Sequence, residues 1–274
     1  MGVLYHLGVR EKFEPQGCPA MADDAPNAGD GLAATQTARE TTSGYSGLTE
    51  ESGPFHSLLE HVSTYSFVLL FAAAIYFSIV GLAAQGRLWL IAPALALGMV
   101  AGDFVSGLVH WLADTYGSER TPIVGGSFIK WFRLHHVYPK DICTHGFINT
   151  NGNTCILVAP LVVLCLPFVW DEDVSATRSF SVLVVVLMAA TTVATNQFHK
   201  WAHEDAPSLL ARGLQKSRLI LPPAHHSQHH AGPFDAHYCI ANGWLNPLLD
   251  RVKFFGRLER ALAKLGMKRD AGSE

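Results

Sequence analysis

Four long apolar segments dominate the chain after its first sixty residues, and polar or charged residues separate them. The segments cover approximately residues 65–84, 88–109, 154–170 and 179–198. A helix needs roughly 17–25 residues to cross the ~30 Å hydrocarbon core of a bilayer, so each segment is long enough to span a membrane. Pro160 and Pro167 make the third segment the least regular, although membrane helices tolerate proline. The pattern predicts an all-α integral membrane protein with about four transmembrane helices.

The segments before and after this region differ in character. Residues 1–54 are rich in small and polar residues and contain no long apolar run, which predicts a disordered tail. Met21 is an alternative start of the reading frame. Residues 55–265 form one predicted membrane domain, and residues 266–274 form a flexible C-terminal tail.

The composition supports a membrane protein. Of the 274 residues, 49% are hydrophobic and only 16% are charged, whereas about a quarter of a soluble domain is charged. The net charge of −3 argues against nucleic-acid binding. The five cysteines include no CxxC pair, so neither a disulfide framework nor a zinc–thiolate site is expected.

The placement of Lys and Arg predicts the orientation in the membrane. Three lie in the N-terminal tail, four in the loop at 110–153 and eleven after residue 199, but the two intervening loops contain only Arg87 and Arg178. Both termini and the central loop should therefore be cytoplasmic, in a bacterial inner membrane or a eukaryotic endoplasmic reticulum.

The histidines cluster in the regions that this orientation makes cytoplasmic. Eleven of the fourteen follow residue 109: His110, His135, His136, His145, His199, His203, His225, His226, His229, His230 and His237. All eleven fall on one side of the membrane, where they predict a polynuclear metal site in a helical cap, because imidazole is the commonest metal ligand. His6, His56 and His61 precede the first segment without partners and are interpreted as surface residues.

Helical spacing places several of these side chains on shared faces. Asp103, His110 and Asp114 share one face of the second span. Asn196, His199 and His203 share a face at the end of the fourth, where a His pair four residues apart can hold one metal. In HHSQHH, the pattern His226, His229 and His230 can supply two neighbouring metals. A polar helix-packing role for Asp103 and a zinc-buffering role for the tract remain alternatives.

Five motifs resemble the plasmanylethanolamine desaturase family, also described as CarF or Kua-type membrane lipid desaturases. The motifs are GDFVSGLVHWLADTYGS, TPIVGGSFIKWFRLHH, HGFINTNGN, TNQFHKWAH and LPPAHHSQHHAGPFDAHYCIANGWLNPLLD. They run from about Ala101 to Arg260, while residues 1–54 show no resemblance.

The resemblance implies a membrane diiron desaturase whose histidine boxes are His199–His203 and His226–His230. The implied iron ligands are His110, His135, His136, His145, His199, His203, His226, His229 and His230. Asp103, Asp114, Asn196, His225 and His237 are expected to orient these ligands or to be additional ones.

The implied reaction is an O2-dependent desaturation that places the vinyl-ether double bond in the 1-O-alkyl chain of an ether phospholipid. A separate reductase and a carrier, of cytochrome-b or ferredoxin type, would supply electrons, because the chain has no flavin or haem motif. Such chemistry needs a redox-active metal, which excludes zinc. Another diiron lipid desaturase or hydroxylase is the nearest alternative, and a non-enzymatic membrane metal protein or transporter is a more distant one.

Overall fold

Four long helices form the body of the protein in a computed structural model that describes residues 53–122, 124–171, 174–231 and 233–269. They are α1 (Pro54–Ala84), α2 (Ile91–Thr115, preceded by a 3-10 turn at Leu88–Leu90), α4 (Phe147–Cys165, followed by a 3-10 turn at Leu166–Phe168) and α5 (Ala176–His203). Each of these four, with its turn, is long and apolar enough to cross a membrane.

Large apolar side chains on these helices face outward rather than into the protein. Leu69 on α1 is 72% exposed, and Leu157 on α4 is 71% exposed. Such a surface is unfavourable in water but suits contact with lipid chains. The four helices therefore bury only part of their apolar surface against one another.

The core lies where α1 and α4 meet α5. Phe67 and Ala74 of α1, Cys155 and Val162 of α4, and Val186 of α5 belong to one buried apolar cluster. The helix α4 continues through Pro160 without ending, as membrane helices can. Gly86, at φ +64, makes the tight turn between α1 and α2, a conformation that favours glycine.

Small residues allow α2 and α5 to approach closely. Gly98 and Gly102 stand four residues apart on α2, in a GxxxG pattern typical of packed membrane helices. A Cβ at Gly98 would lie 2.5 Å from Leu187 Cβ, and one at Gly102 would lie 2.5 Å from Thr191 Cβ. The contact between these helices brings their C-terminal ends, which carry His110 and His199, together.

Short helices cover the end of the bundle that holds the histidines. They are α3 (Lys130–Val137), α6 (Leu209–Lys216), α7 (Pro223–His230), α8 (Asn246–Arg251) and α9 (Phe254–Lys264), with a π-helix at Gly125–Ile129 and a 3-10 helix at Asp141–Thr144. The C-terminal segment packs on α2 through a second apolar cluster that includes Trp111, Tyr238 and Phe255.

The predicted all-α fold with four candidate spans and a histidine-rich cap is confirmed, and the described residues contain no strand. The helices are longer than the predicted spans. In particular, α1 begins at Pro54, and Glu60 and Thr64 in its first three turns are buried in the protein. The predicted tail at residues 1–54 lies, up to residue 52, outside the described residues, as do Met21, His6 and residues 270–274 of the C-terminal tail.

We predict that Gly102→Ala destabilises the bundle. The added Cβ overpacks against Thr191, which should lower the free energy of unfolding by roughly 1–3 kcal/mol. Gly213→Ala on α6 is the matched control, because a Cβ there meets nothing within 4 Å and alanine favours a helix. Thermal unfolding in one detergent compares the two variants, and equal melting temperatures would contradict the close-packing argument.

Candidate metal centre

Four helices bring their ligand-bearing ends to one buried region. These are the C-terminal ends of α2 and α5, the short helix α3 and the histidine helix α7, which starts at Pro223 in a position that favours proline. Eight histidines and one aspartate form two groups of possible metal ligands. The five-histidine group contains His135, His199, His203, His226 and His230, and the Asp114 group contains His110, Asp114, His136 and His229.

The five-histidine group has ring nitrogens that converge on one point. The Nε2 atoms of His199 and His203 each lie 2.8 Å from Nε2 of His226. Nε2 of His230 lies 3.0 Å from the same atom. Its ligand atoms all lie within 4.8 Å of one another.

The Asp114 group centres on a carboxylate instead. Asp114 Oδ2 lies 3.3 Å from His110 Nε2 and 3.6 Å from His229 Nε2, and Asp114 Oδ1 lies 3.2 Å from His136 Nε2. The two groups are neighbours, since the rings of His136 and His230 have centroids 5.3 Å apart.

Adjacent histidines serve different groups. On α3, His135 points to the five-histidine group and His136 to the Asp114 group. On α7, His226 and His230 share one group, and His229 belongs to the other. This division follows from helical geometry, because residues four apart lie on one face and their neighbours do not.

Backbone carbonyls fix the orientation of two imidazoles in the Asp114 group. Nδ1 of His229 donates to the carbonyl of Ala236 at 2.7 Å, and Nδ1 of His110 donates to the carbonyl of Tyr238 at 3.2 Å. A proton on Nδ1 leaves the lone pair on Nε2, which is the atom that faces Asp114. The segment that contains Ala236 and Tyr238 therefore sets the tautomers of His229 and His110.

Burial keeps four imidazoles of the cap uncharged. It lowers the pKa of His229 to about 3, with further repulsion from His136, and the pKa of His230 to about 2, with repulsion from His203. Burial also lowers the pKa of His135 and of His226 well below the ordinary value. Neutral rings retain the lone pairs that bind metals.

The atoms left without partners fit a bound cation. Nε2 of His110, His135 and His229 and Oδ2 of Asp114 are buried and have no hydrogen-bond partner. His226 Nε2 can donate at most one proton, yet three other ring nitrogens lie within 3.0 Å of it. Positive ions placed among these lone pairs would satisfy them all, so both groups are compatible with a metal site.

Two predicted residues lie at the edge of the groups rather than within them. His145 lies outside both, with Nε2 3.3 Å from Asp141 Oδ2, and its backbone carbonyl accepts from Lys200. The Asn196 amide donates to the Thr150 carbonyl and to Thr154 Oγ1, both at 3.0 Å. Asn196 thus ties α5 to α4.

Three other predicted residues hold the C-terminal segment in place. Asp103 accepts from the backbone N–H groups of Asn242, Gly243 and Leu245 at 2.9–3.1 Å. His225 contacts Asn246 Nδ2 at 2.9 Å. His237 has its side chain near His225 and Asp250, away from both groups.

A cavity of about 730 Å³ reaches the five-histidine group from the side of α1 and α4. His135 and His199 are the members of the two groups that line it. Its apolar lining includes Phe128, Trp131, Phe132, Leu134 and Leu157, and its polar lining includes His56, Glu60, His145, Asn149, Asn153 and Asn196. A molecule with a polar head and an apolar chain would find both kinds of contact here.

Residues 99–270 match the family model of the lipid desaturase domain. The chain belongs to the lipid desaturase family. The match covers α2 from its middle and everything that follows, and so contains both ligand groups. The resemblance seen in the motifs, and the class of enzyme that it implies, are confirmed.

Similar proteins in this family come from several kingdoms. The chain is 40% identical to a plasmanylethanolamine desaturase of Myxococcus xanthus over 83% of its own length and 80% of the relative. It is 42% identical to plasmanylethanolamine desaturase 1 of the mouse over 62% of the chain and 66% of the relative. Fatty acid desaturase 4 of Arabidopsis thaliana chloroplasts is 35% identical over 66% of the chain and 55% of the relative. No solved structure matches the chain significantly.

Sequence reasoning missed two features of this lipid desaturase centre. The carbonyls of Ala236 and Tyr238 carry no side-chain signal, so only the fold could reveal them. His56, which was interpreted as a surface residue without a partner, lines the cavity and lies 3.5 Å from Glu60. The signal for Glu60 was available, because a carboxylate near the start of an apolar helix is costly unless it has a function.

We predict that His237 acts through its backbone rather than as a ligand. Its φ of +59 places the Ala236 and Tyr238 carbonyls on either side, and asparagine tolerates this conformation far better than a β-branched residue. His237→Asn should therefore keep the metal content of the purified protein, and His237→Val should lower it. Loss of metal in both variants, with folding intact, would instead make the imidazole a ligand.

Proposed function

We propose that this protein is a plasmanylethanolamine desaturase that introduces the vinyl-ether double bond into the 1-O-alkyl chain of an ether phospholipid. The observation that carries the proposal is the 40% identity to the Myxococcus enzyme over 83% of the chain. The lipid desaturase match at residues 99–270 includes the α2, α3, α5 and α7 residues of both groups.

The proposed iron ligands are the eight histidines and Asp114 of the two groups. The five-histidine group holds one iron and the Asp114 group holds the other. When bound, the two irons supply the activation of O2 and the oxidising power that removes two hydrogens from an unactivated carbon chain. His145, which the family resemblance implied as a ligand, is placed beside the cavity instead.

The residues of the chain position the substrate and exclude water. Phe128, Phe132 and Leu134 form the apolar wall of the cavity beside His135, and we assign the alkyl chain to this wall. Asn149 and Asn153 line the polar wall on α4, where amide groups can hydrogen-bond phosphate and glycerol oxygens. The ether oxygen then lies between the two walls, close to the five-histidine group.

Sidedness and electron supply complete the proposal. The distribution of Lys and Arg supports a cytoplasmic location for the ligand-bearing ends of α2 and α5. A cytoplasmic carrier of cytochrome-b or ferredoxin type, with its reductase, would deliver two electrons per turnover. The exposed polar residues of the cap are accessible to such a partner from that side.

We predict that replacing His203, His229 or His230 with alanine abolishes vinyl-ether formation. Each substitution removes one imidazole nitrogen from one of the two ligand groups. The packing of the membrane helices should stay unchanged. Expression in a plasmalogen-deficient host, followed by acid release of aldehydes from the lipids, measures the product. His61→Ala is the control, because His61 is exposed, hydrogen-bonds the Ser57 carbonyl and belongs to neither ligand group.

Metal and lipid analysis would separate the alternatives. About two irons per purified chain are expected from two such ligand groups, whereas zinc alone would favour a non-catalytic metal protein. Desaturated or hydroxylated acyl chains without any vinyl ether would instead favour the chemistry of an acyl-lipid desaturase or hydroxylase. Normal product in all three histidine variants would contradict the ligand assignment.

A further inference from the structure

Glu60 is a buried carboxylate in the second turn of the apolar helix α1. The residue is only 3% exposed, and its side chain is 5% exposed. It nevertheless lines the 730 Å³ cavity that leads to His135 and His199. Its side chain therefore faces an internal space rather than bulk solvent or the protein core.

Imidazoles are the charged neighbours of the Glu60 carboxylate among the described residues. His56 Nε2 lies 3.5 Å from Glu60 Oε1, and His61 also interacts electrostatically with the carboxylate. The His56 side chain is 40% exposed and forms no other ion pair among the described residues. A carboxylate in a membrane helix is costly and requires a stronger partner than a partly solvated imidazole.

The packing of α4 holds Glu60 in this position. A Cβ at Gly152 would lie 2.6 Å from Glu60 Cβ and 3.0 Å from Glu60 Cγ. Because Gly152 has no side chain, α4 packs directly against Cβ and Cγ of Glu60. The carboxylate therefore has little freedom to leave the cavity. A residue fixed in this way is suited to recognise a ligand.

The surroundings favour a small organic cation as that ligand. Trp131 and Tyr138 also line the cavity, and aromatic rings attract ammonium groups. A phosphate would be repelled by the carboxylate, but Asn149 and Asn153 on the same wall can serve it. The cavity thus offers a carboxylate that can bind a cation and, near it, neutral amide groups that can bind a phosphate.

We propose that Glu60 is the specificity residue for the primary ammonium of the phospholipid head group. This inference rests on the proposed function. A primary ammonium carries three donors and fits a single carboxylate, whereas a quaternary ammonium has none and a glycerol head group has no charge. Glu60 would hold the head group while the alkyl chain passes toward the five-histidine group.

The test measures lipid binding to the purified full-length protein without an added electron donor, so that turnover does not occur. Three 1-O-alkyl phospholipids that differ only in an ethanolamine, choline or glycerol head group compete for the wild-type protein, and native mass spectrometry counts the bound lipids. The wild type should prefer the ethanolamine lipid over the glycerol lipid. Glu60→Gln should reduce that preference roughly tenfold, as expected for one charge-assisted hydrogen bond.

Matched variants separate recognition from folding. Glu259→Gln on α9 removes a carboxylate that pairs with Arg269 at 3.7 Å and does not line the cavity, so the preference should stay. Glu60→Asp keeps the charge and should retain part of the preference, which keeps the proposal testable if Glu60→Gln folds poorly. His56→Gln should also retain the preference, whereas a purely structural Glu60–His56 pair predicts the same loss as Glu60→Gln.

The outcomes distinguish this inference from the proposed function. No head-group preference in the wild type, or an unchanged preference in Glu60→Gln, overturns the inference even if the protein forms vinyl ethers. A wild-type preference that Glu60→Gln removes, in a protein that forms no vinyl ether, supports the inference and overturns only the proposed function.

Discussion

The cap of this protein is built around imidazole nitrogens that face one another in a buried space. The Nε2 atoms of His199, His203 and His230 each lie within 3.0 Å of Nε2 of His226. No arrangement of protons gives all three of these nitrogen pairs a hydrogen bond. Burial lowers the pKa of His226 and His230, so these rings stay neutral and do not repel one another as cations. Such a cluster is compatible with bound positive ions, and the rest of the fold must hold its parts together.

The membrane helices and the C-terminal segment share this task. The close contact between α2 and α5 at Gly98 and Gly102 brings His110 and His199 to the same place. Asp103, deeper on α2, accepts three backbone N–H groups from residues 242–245 and so anchors the segment that follows α7. That segment in turn supplies the carbonyls that orient His110 and His229. A charged residue within a membrane span thus supports the metal centre from a distance.

The sequence predicted much of this arrangement because its signals are local. Span length and apolar character defined the four helices, and the spacing of His226, His229 and His230 indicated ligands for two neighbouring metals. The sequence did not show how the other predicted residues contact their neighbours. Asp103 and His237 shape the backbone near the candidate ligands, and His145 follows α3 closely in sequence but lies beside the cavity. The packing of Glu60 against Gly152 of α4, about ninety residues away, was likewise not evident from the sequence.

The sequence alone determined that the chain crosses a membrane with four helices, that its histidines gather at one end, and that its motifs are those of a lipid desaturase. These conclusions follow from hydrophobicity, helical period and motif order, which are properties of short stretches. Only the tertiary structure decided how nine candidate ligands divide into two groups, which carbonyls orient two of their imidazoles, and which side chains line the cavity. Such features depend on contacts between distant segments, where differences of one or two ångströms separate a ligand from its support.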